Sequence, residues 1–126
     1  MKRFLPITLC CALMAGAART TTAADRWSAL SMLETGNNDR AVGSRGEVSR
    51  WQIMPAYWPG GNPQNAHRAK RLAIRIMDGR VTSFEKQWAR QPSAFEWALL
   101  WHCPARVDHP TDGDRDYATR FVNLAQ

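Results

Sequence analysis

This chain of 126 residues has little with which to brace itself covalently. It holds three cysteines, and two of them, Cys10 and Cys11, fall in an apolar stretch near the N-terminus. Only Cys103 lies beyond that stretch, so a disulfide within the remaining chain is excluded and its stability must come from packing. No run of eighteen apolar residues occurs, which argues against a membrane-spanning helix. Internal repeats and low-complexity tracts are absent as well. The length suits one domain and excludes a two-domain enzyme. What is present is an ordinary globular composition, 44% hydrophobic and 22% charged, with a high count of six tryptophans.

The N-terminus has the three parts of an export signal. Lys2 and Arg3 precede an apolar stretch from Phe4 to Ala18, and Thr22-Ala23-Ala24 provides small residues at a cleavage site, with Ala15-Gly16-Ala17 as a second candidate. Residues 1–24 are therefore expected to be a signal peptide, and residues 25–126 the exported domain, in the periplasm or outside the cell. The 17 basic residues fall to 14 once Lys2, Arg3 and Arg19 are removed, leaving +3 against 11 acidic residues. That modest excess gives little support to nucleic-acid binding and suits an anionic polymer such as a cell wall.

Helical signals dominate the rest. Asp25 is placed to cap a helix from Arg26 to about Thr35, with Trp27, Leu30 and Leu33 on its apolar stripe and Gly36 as its stop. Residues 36–50 lack a helical period; Gly43 to Gly46 reads as a turn and Val48 to Ile53 as a short extended piece. Tyr57 to Pro63 reads as a loop. Asn65 caps a second helix to about Met77, stopped by Asp78-Gly79. Thr82 to Glu85 and Ser93 to Glu96 read as capping boxes opening two more helices. Pro104 ends the latter, 105–115 forms a polar loop, and Asp116 caps the last helix. The expected fold is mainly α, with a small irregular β region after the first helix.

Glu34 is the leading chemical candidate. The C-terminal end of a helix carries negative partial charge, and burial beside Leu33 acts in the same direction. Both favour a carboxyl that keeps its proton near neutral pH, as a general acid requires. The segments around it are E-T-G-N from Glu34, G-E-V-S-R-W-Q-I-M-P ending at Pro55, W-H-C-P-A-R-V from Trp101 and Y-A-T-R-F-V-N-L from Tyr117, with Glu34 and Gln52 eighteen positions apart. In this order they resemble the motifs of the lytic transglycosylase and goose-type lysozyme group of the lysozyme-like superfamily, over residues 27 to 124. Thr35, Arg50-Trp51, Trp101-His102 and Ala105 depart from that pattern.

The resemblance implies an α+β lysozyme-like domain and cleavage of the β-1,4 bond between N-acetylmuramic acid and N-acetylglucosamine in peptidoglycan, yielding a 1,6-anhydro product without a cofactor. Glu34 would serve as acid and then base, Gln52 would hydrogen-bond the sugar, Met54 would line the cleft, and Trp101 and His102 would border it. Trp101 stands where the family has the tyrosine that orients the acid; Tyr117 is the candidate for that role. Glu47 has two readings, a loop brace or the water-activating base of a muramidase. A non-catalytic wall-binding protein is a third reading of the whole chain. Partners expected on these readings are glycan strands, with wall turnover or a secretion, conjugation or phage-related assembly as the setting. Trp27, Trp88 and Trp97 sit at core spacing, whereas Trp51 and Trp58 flank the loop, where both a core and a cleft position are open to them. His102, Cys103 and His109 match no zinc spacing, and the Asp112 to Asp116 run lacks the ligands of a calcium loop, so no metal is expected. Cys103 is expected to be a shielded, reduced thiol.

Overall fold

The computed structural model describes residues 23–58 and 65–126. The signal expected over 1–24 falls outside these residues except for Ala23 and Ala24, and so does most of the loop expected after Trp58. Among the described residues there are four α-helices: α1 (Ala23–Thr35), α2 (Ala66–Trp88), α3 (Ala94–His102) and α4 (Asp112–Leu124). Two 3-10 turns, Pro55–Tyr57 and Pro104–Arg106, complete the regular structure.

No strand or sheet forms among the described residues. Pairing in the segment after α1 is limited to two isolated antiparallel bridges, Val42 with Val48 and Val48 with Ile53. The physical reason is local. Gly46, Ser49 and Gln52 all have positive φ, so extended backbone is broken on both sides of Val48 before a ladder can grow. This overturns the α+β lysozyme-like fold and the small β region read from the sequence, and with them the family assignment that the short motifs suggested.

The helices are held by one core that centres on α3. Trp97, Ala98, Leu99, Leu100 and Trp101 are all buried there, and α3 packs most extensively on α4. Trp27 of α1 meets three other tryptophans edge-on: Trp51 at 6.1 Å, Trp97 at 5.3 Å and Trp101 at 6.0 Å between ring centroids. Each such pair contributes ~0.5–1.5 kcal/mol beyond burial. The Trp51 indole N–H also donates to the Trp27 carbonyl at 3.2 Å, which joins the loop to α1. Phe121 of α4 also stacks on Trp97, 5.3 Å between ring centroids.

Several boundaries differ from those read in the sequence. α1 already includes Asp25, so Asp25 is not its cap. α2 runs through Asp78-Gly79, and Thr82 lies in its interior. Its buried stripe of Ala69, Ala73, Met77 and Phe84 continues at helical spacing across the glycine. That burial outweighs a cost of ~1 kcal/mol for glycine inside a helix. Ser83 hydroxyl bonds back to the Gly79 carbonyl rather than capping anything. α3 begins with the capping box of Ser93 and Glu96. α4 begins earlier than Asp116, with a box of Thr111 and Asp114. Asp114 is almost fully buried and accepts both guanidinium arms of Arg106, at 2.9 and 2.8 Å. Trp88, assigned to the core, is exposed at the end of α2.

Candidate functional site

The segment from Gly36 to Met54 is fastened to the end of α1 by polar contacts. Gly36 takes positive φ and its N–H bonds the Met32 carbonyl, closing the helix. Thr35 hydroxyl donates to the Arg50 carbonyl at 3.0 Å and accepts from the Asn38 N–H. Arg50 makes a two-armed ion pair with Asp39, both bonds 2.7 Å. The segment is thereby folded back over Glu34.

A cleft of about 390 Å³ lies between this segment, α2 and the end of α3. Glu34, Glu47, Gln52, Met54, Trp101 and His102 all line it, as do Arg45, Tyr57 and Arg80. Tyr117 lies behind Glu34, with its hydroxyl donating to Glu34 Oε1. The Tyr117 ring stacks on His102, 4.1 Å between centroids at 15°. Residues 83 positions apart in the chain are thus joined through one hydrogen bond.

The two carboxyl groups have opposite electrostatic environments. Burial pushes the Glu34 carboxyl above its usual range; the Tyr117 hydroxyl acts against this and the Glu47 charge adds to it. Glu47 is held below the usual range by backbone N–H groups, its own and that of Arg45, and by the Arg45 guanidinium. Arg45 N–H lies 2.8 Å from Glu47 Oε2 and Arg45 Nε 3.0 Å from Oε1. Burial lowers the His102 imidazole, as do the nearby Arg106 and Arg45 charges, against the opposing pull of Asp114. Burial also raises Tyr117, keeping its phenol a donor.

Backbone strain supports this arrangement. Gln52 sits at φ 51°, a left-handed value that costs a non-glycine residue of order 1 kcal/mol. Its side-chain amide donates to the Ser49 carbonyl at 3.1 Å, which turns Gln52 Oε1 elsewhere. Gly43 admits both side chains: a Cβ there would lie 2.4 Å from Glu47 Oε2 and 2.5 Å from Gln52 Oε1. Any side chain at position 43 would push both of them aside.

Sequence reasoning did not single out Arg80, Arg45, Tyr57 or Gly43. Arg80 was hidden because α2 was expected to stop before it. Arg80 Nη1 donates to the carbonyls of Leu100 and Trp101, at 2.9 and 2.8 Å, satisfying the end of α3. Its guanidinium also lies over the Tyr57 and Trp101 rings. Of the two positions the sequence leaves open to Trp51, the core is the one it takes, 4% exposed. Trp58 lines a different pocket. Cys103 is a buried free thiol, pushed up to about 11 by burial first and then by Asp114. Among the described residues no group of three or more His, Cys, Asp or Glu side chains is placed to hold a metal ion. No helix among them is long and apolar enough to cross a membrane.

No protein family model, no curated protein and no solved structure matches this chain. The described residues have no sheet to form one wall of a lysozyme-type groove. The peptidoglycan-cleaving activity implied by the motif resemblance, as transglycosylase or as muramidase, is corrected on that ground. The wall-binding alternative relied on the same fold and is corrected with it.

Proposed function

We propose that the protein is a ligand-binding domain whose Glu34 cleft takes an uncharged polar ligand, one bearing amide or hydroxyl groups. The observation that carries this reading is the Tyr117–Glu34 contact beside the charged Glu47. Tyr117 occupies Glu34 Oε1 as a donor, so the protonated form of Glu34, which burial favours, presents the O–H of its second oxygen to the cleft. Glu47, held ionised by Arg45, accepts from a ligand donor across the same space. A carboxylic acid and a carboxylate together pair with a group that both accepts and donates, as an amide or hydroxyl does. An anionic ligand would face repulsion from Glu47, and a cation would meet Arg45 and Arg80 in the same cleft, where a neutral Glu34 adds no attraction.

Trp101 and the Met54 side of the cleft supply apolar surface to such a ligand, while Gln52 adds a further polar contact. The test is a fragment titration followed by amide chemical shifts, with acetamide and glycerol as probes and acetate and methylammonium as charged controls. Shifts confined to residues around Glu34, Glu47 and Gln52 with the neutral probes, and lost in Glu47→Ala, are expected. Stronger perturbation by acetate, or none by either neutral probe, would overturn the reading.

A further inference from the structure

A second pocket, about 350 Å³, lies on the far side of Tyr57 and is unlike the Glu34 cleft in charge. Its walls are Tyr57 and Trp58 on one side and Arg68, Leu72, Arg71 and Arg75 of α2 on the other. The three arginines follow one another at i, i+3 and i+7, so α2 presents them on one face. No acidic residue occurs anywhere between positions 48 and 77, a span that also contains Arg50 and Lys70. The segment before α2 and the first three turns of the helix therefore supply no carboxylate to this face; the first acidic residue of α2 is Asp78, one turn beyond Arg75. Arg71 and Arg75 are exposed and have no acidic partner among the described residues.

Like charges at i, i+4 oppose helix formation, and Arg71 and Arg75 stand in this relation with no ion pair to either among the described residues. The opposing wall is fixed in place. The Trp58 indole N–H donates to the Ile53 carbonyl at 3.2 Å. Tyr57 stands in the 3-10 turn begun by Pro55, and Arg80 lies against its ring and hydroxyl. The result is a concave site with guanidinium groups on one wall and aromatic rings on the other.

We infer that this pocket binds a phosphate-type oxyanion, with the group attached to the phosphate lying against Tyr57 and Trp58. Guanidinium forks match the paired oxygens of phosphate, and several of them in one pocket favour a multiply charged group over a single carboxylate. The volume leaves room for more than a bare phosphate. The pocket shares only Tyr57 with the Glu34 cleft, so the inference does not depend on the ligand proposed there.

The phosphate can come from a free phosphorylated compound or from a lipid headgroup, and the experiment has an arm for each. Inorganic pyrophosphate is titrated into the full chain by calorimetry at low salt. In parallel, co-sedimentation is measured with phosphatidylcholine vesicles containing phosphatidylglycerol. Arg71→Gln/Arg75→Gln is compared with Arg40→Gln/Lys86→Gln, which removes the same charge elsewhere, and circular dichroism checks that both variants fold. Saturable binding of pyrophosphate, weakened about tenfold or more by the first variant as expected for lost charge-assisted hydrogen bonds and kept by the second, supports a free ligand. The same pattern with vesicles alone supports a lipid headgroup. No saturable binding in either arm, or equal loss in both variants, would overturn the inference.

Discussion

Glu34 stands at the end of a helix whose carbonyl dipoles oppose its ionisation, and burial opposes it further. The cleft therefore carries a stability cost that can be measured. Between the ordinary glutamate value of 4.5 and the raised folded value, the native chain holds a proton that the unfolded chain has released. Stability from this group is thus fully present below 4.5 and is lost as pH rises through the folded value. Glu34→Gln keeps an acceptor for Tyr117 and removes the charge. We expect the variant to gain stability over the native protein as pH rises from about 4 to about 7.5, by urea unfolding at each pH. A stability difference that does not change with pH would show that Glu34 is not perturbed. At this scale the sequence was informative where chemistry follows from local position: a carboxyl at a helix end, next to leucine, was readable. The partner that holds it, Tyr117, was a candidate only through order of motifs. Arg45 and Gly43 were not readable, because their roles depend on how a segment with several left-handed residues folds back.

Among the elements, α2 shows most clearly what propensity leaves out. Asp78-Gly79 is a sound stop signal taken alone, yet the apolar stripe continues beyond it to Phe84 and the helix goes on to Trp88. Gly79 has ordinary helical backbone and a Cβ there would meet nothing within 4 Å. Gly79→Ala should therefore stabilise the protein by about 0.5–1 kcal/mol, seen as a raised denaturation midpoint with an unchanged slope. Destabilisation would mean that the helix is interrupted at that point. Because Gly79 borders the adjoining cavity of about 600 Å³ and not the Glu34 cleft, ligand binding at Glu34 should be unchanged. Helix starts set by side-chain caps were more legible: the Ser93 box forms as its residues imply. The Thr111-Asp112-Gly113-Asp114 box carries the same signal, within the stretch expected to be a polar loop. The extended piece expected over 48–53 failed for a reason invisible to hydropathy, the positive φ values at Ser49 and Gln52.

For the molecule as a whole, the tryptophan cluster joins what the helices alone would not. Trp27 links α1 to the loop through Trp51 and to α3 through Trp97 and Trp101. Among the described residues the one cysteine, Cys103, is a free thiol, so there this contact set, not a disulfide, ties the cleft walls together. Trp27→Ala should cost about 3–5 kcal/mol by chemical denaturation, and loss of less than about 1 kcal/mol would place the burden elsewhere. Six tryptophans in so short a chain announced a packed core; which of them face the cleft could not be read, since Trp51 and Trp58 have the same loop context and end in different places. The central claim is that this core buries Glu34 in a ligand cleft and so raises the affinity of its carboxyl for a proton. It is tested most directly by following the Glu34 carboxyl carbon by NMR across pH in the native protein and in Tyr117→Phe. The midpoint should lie above 4.5 in the native protein, and higher still in Tyr117→Phe, since the tyrosine hydrogen bond favours the charged form. A native midpoint at or below 4.5, or a fall on removing the hydroxyl, would contradict it.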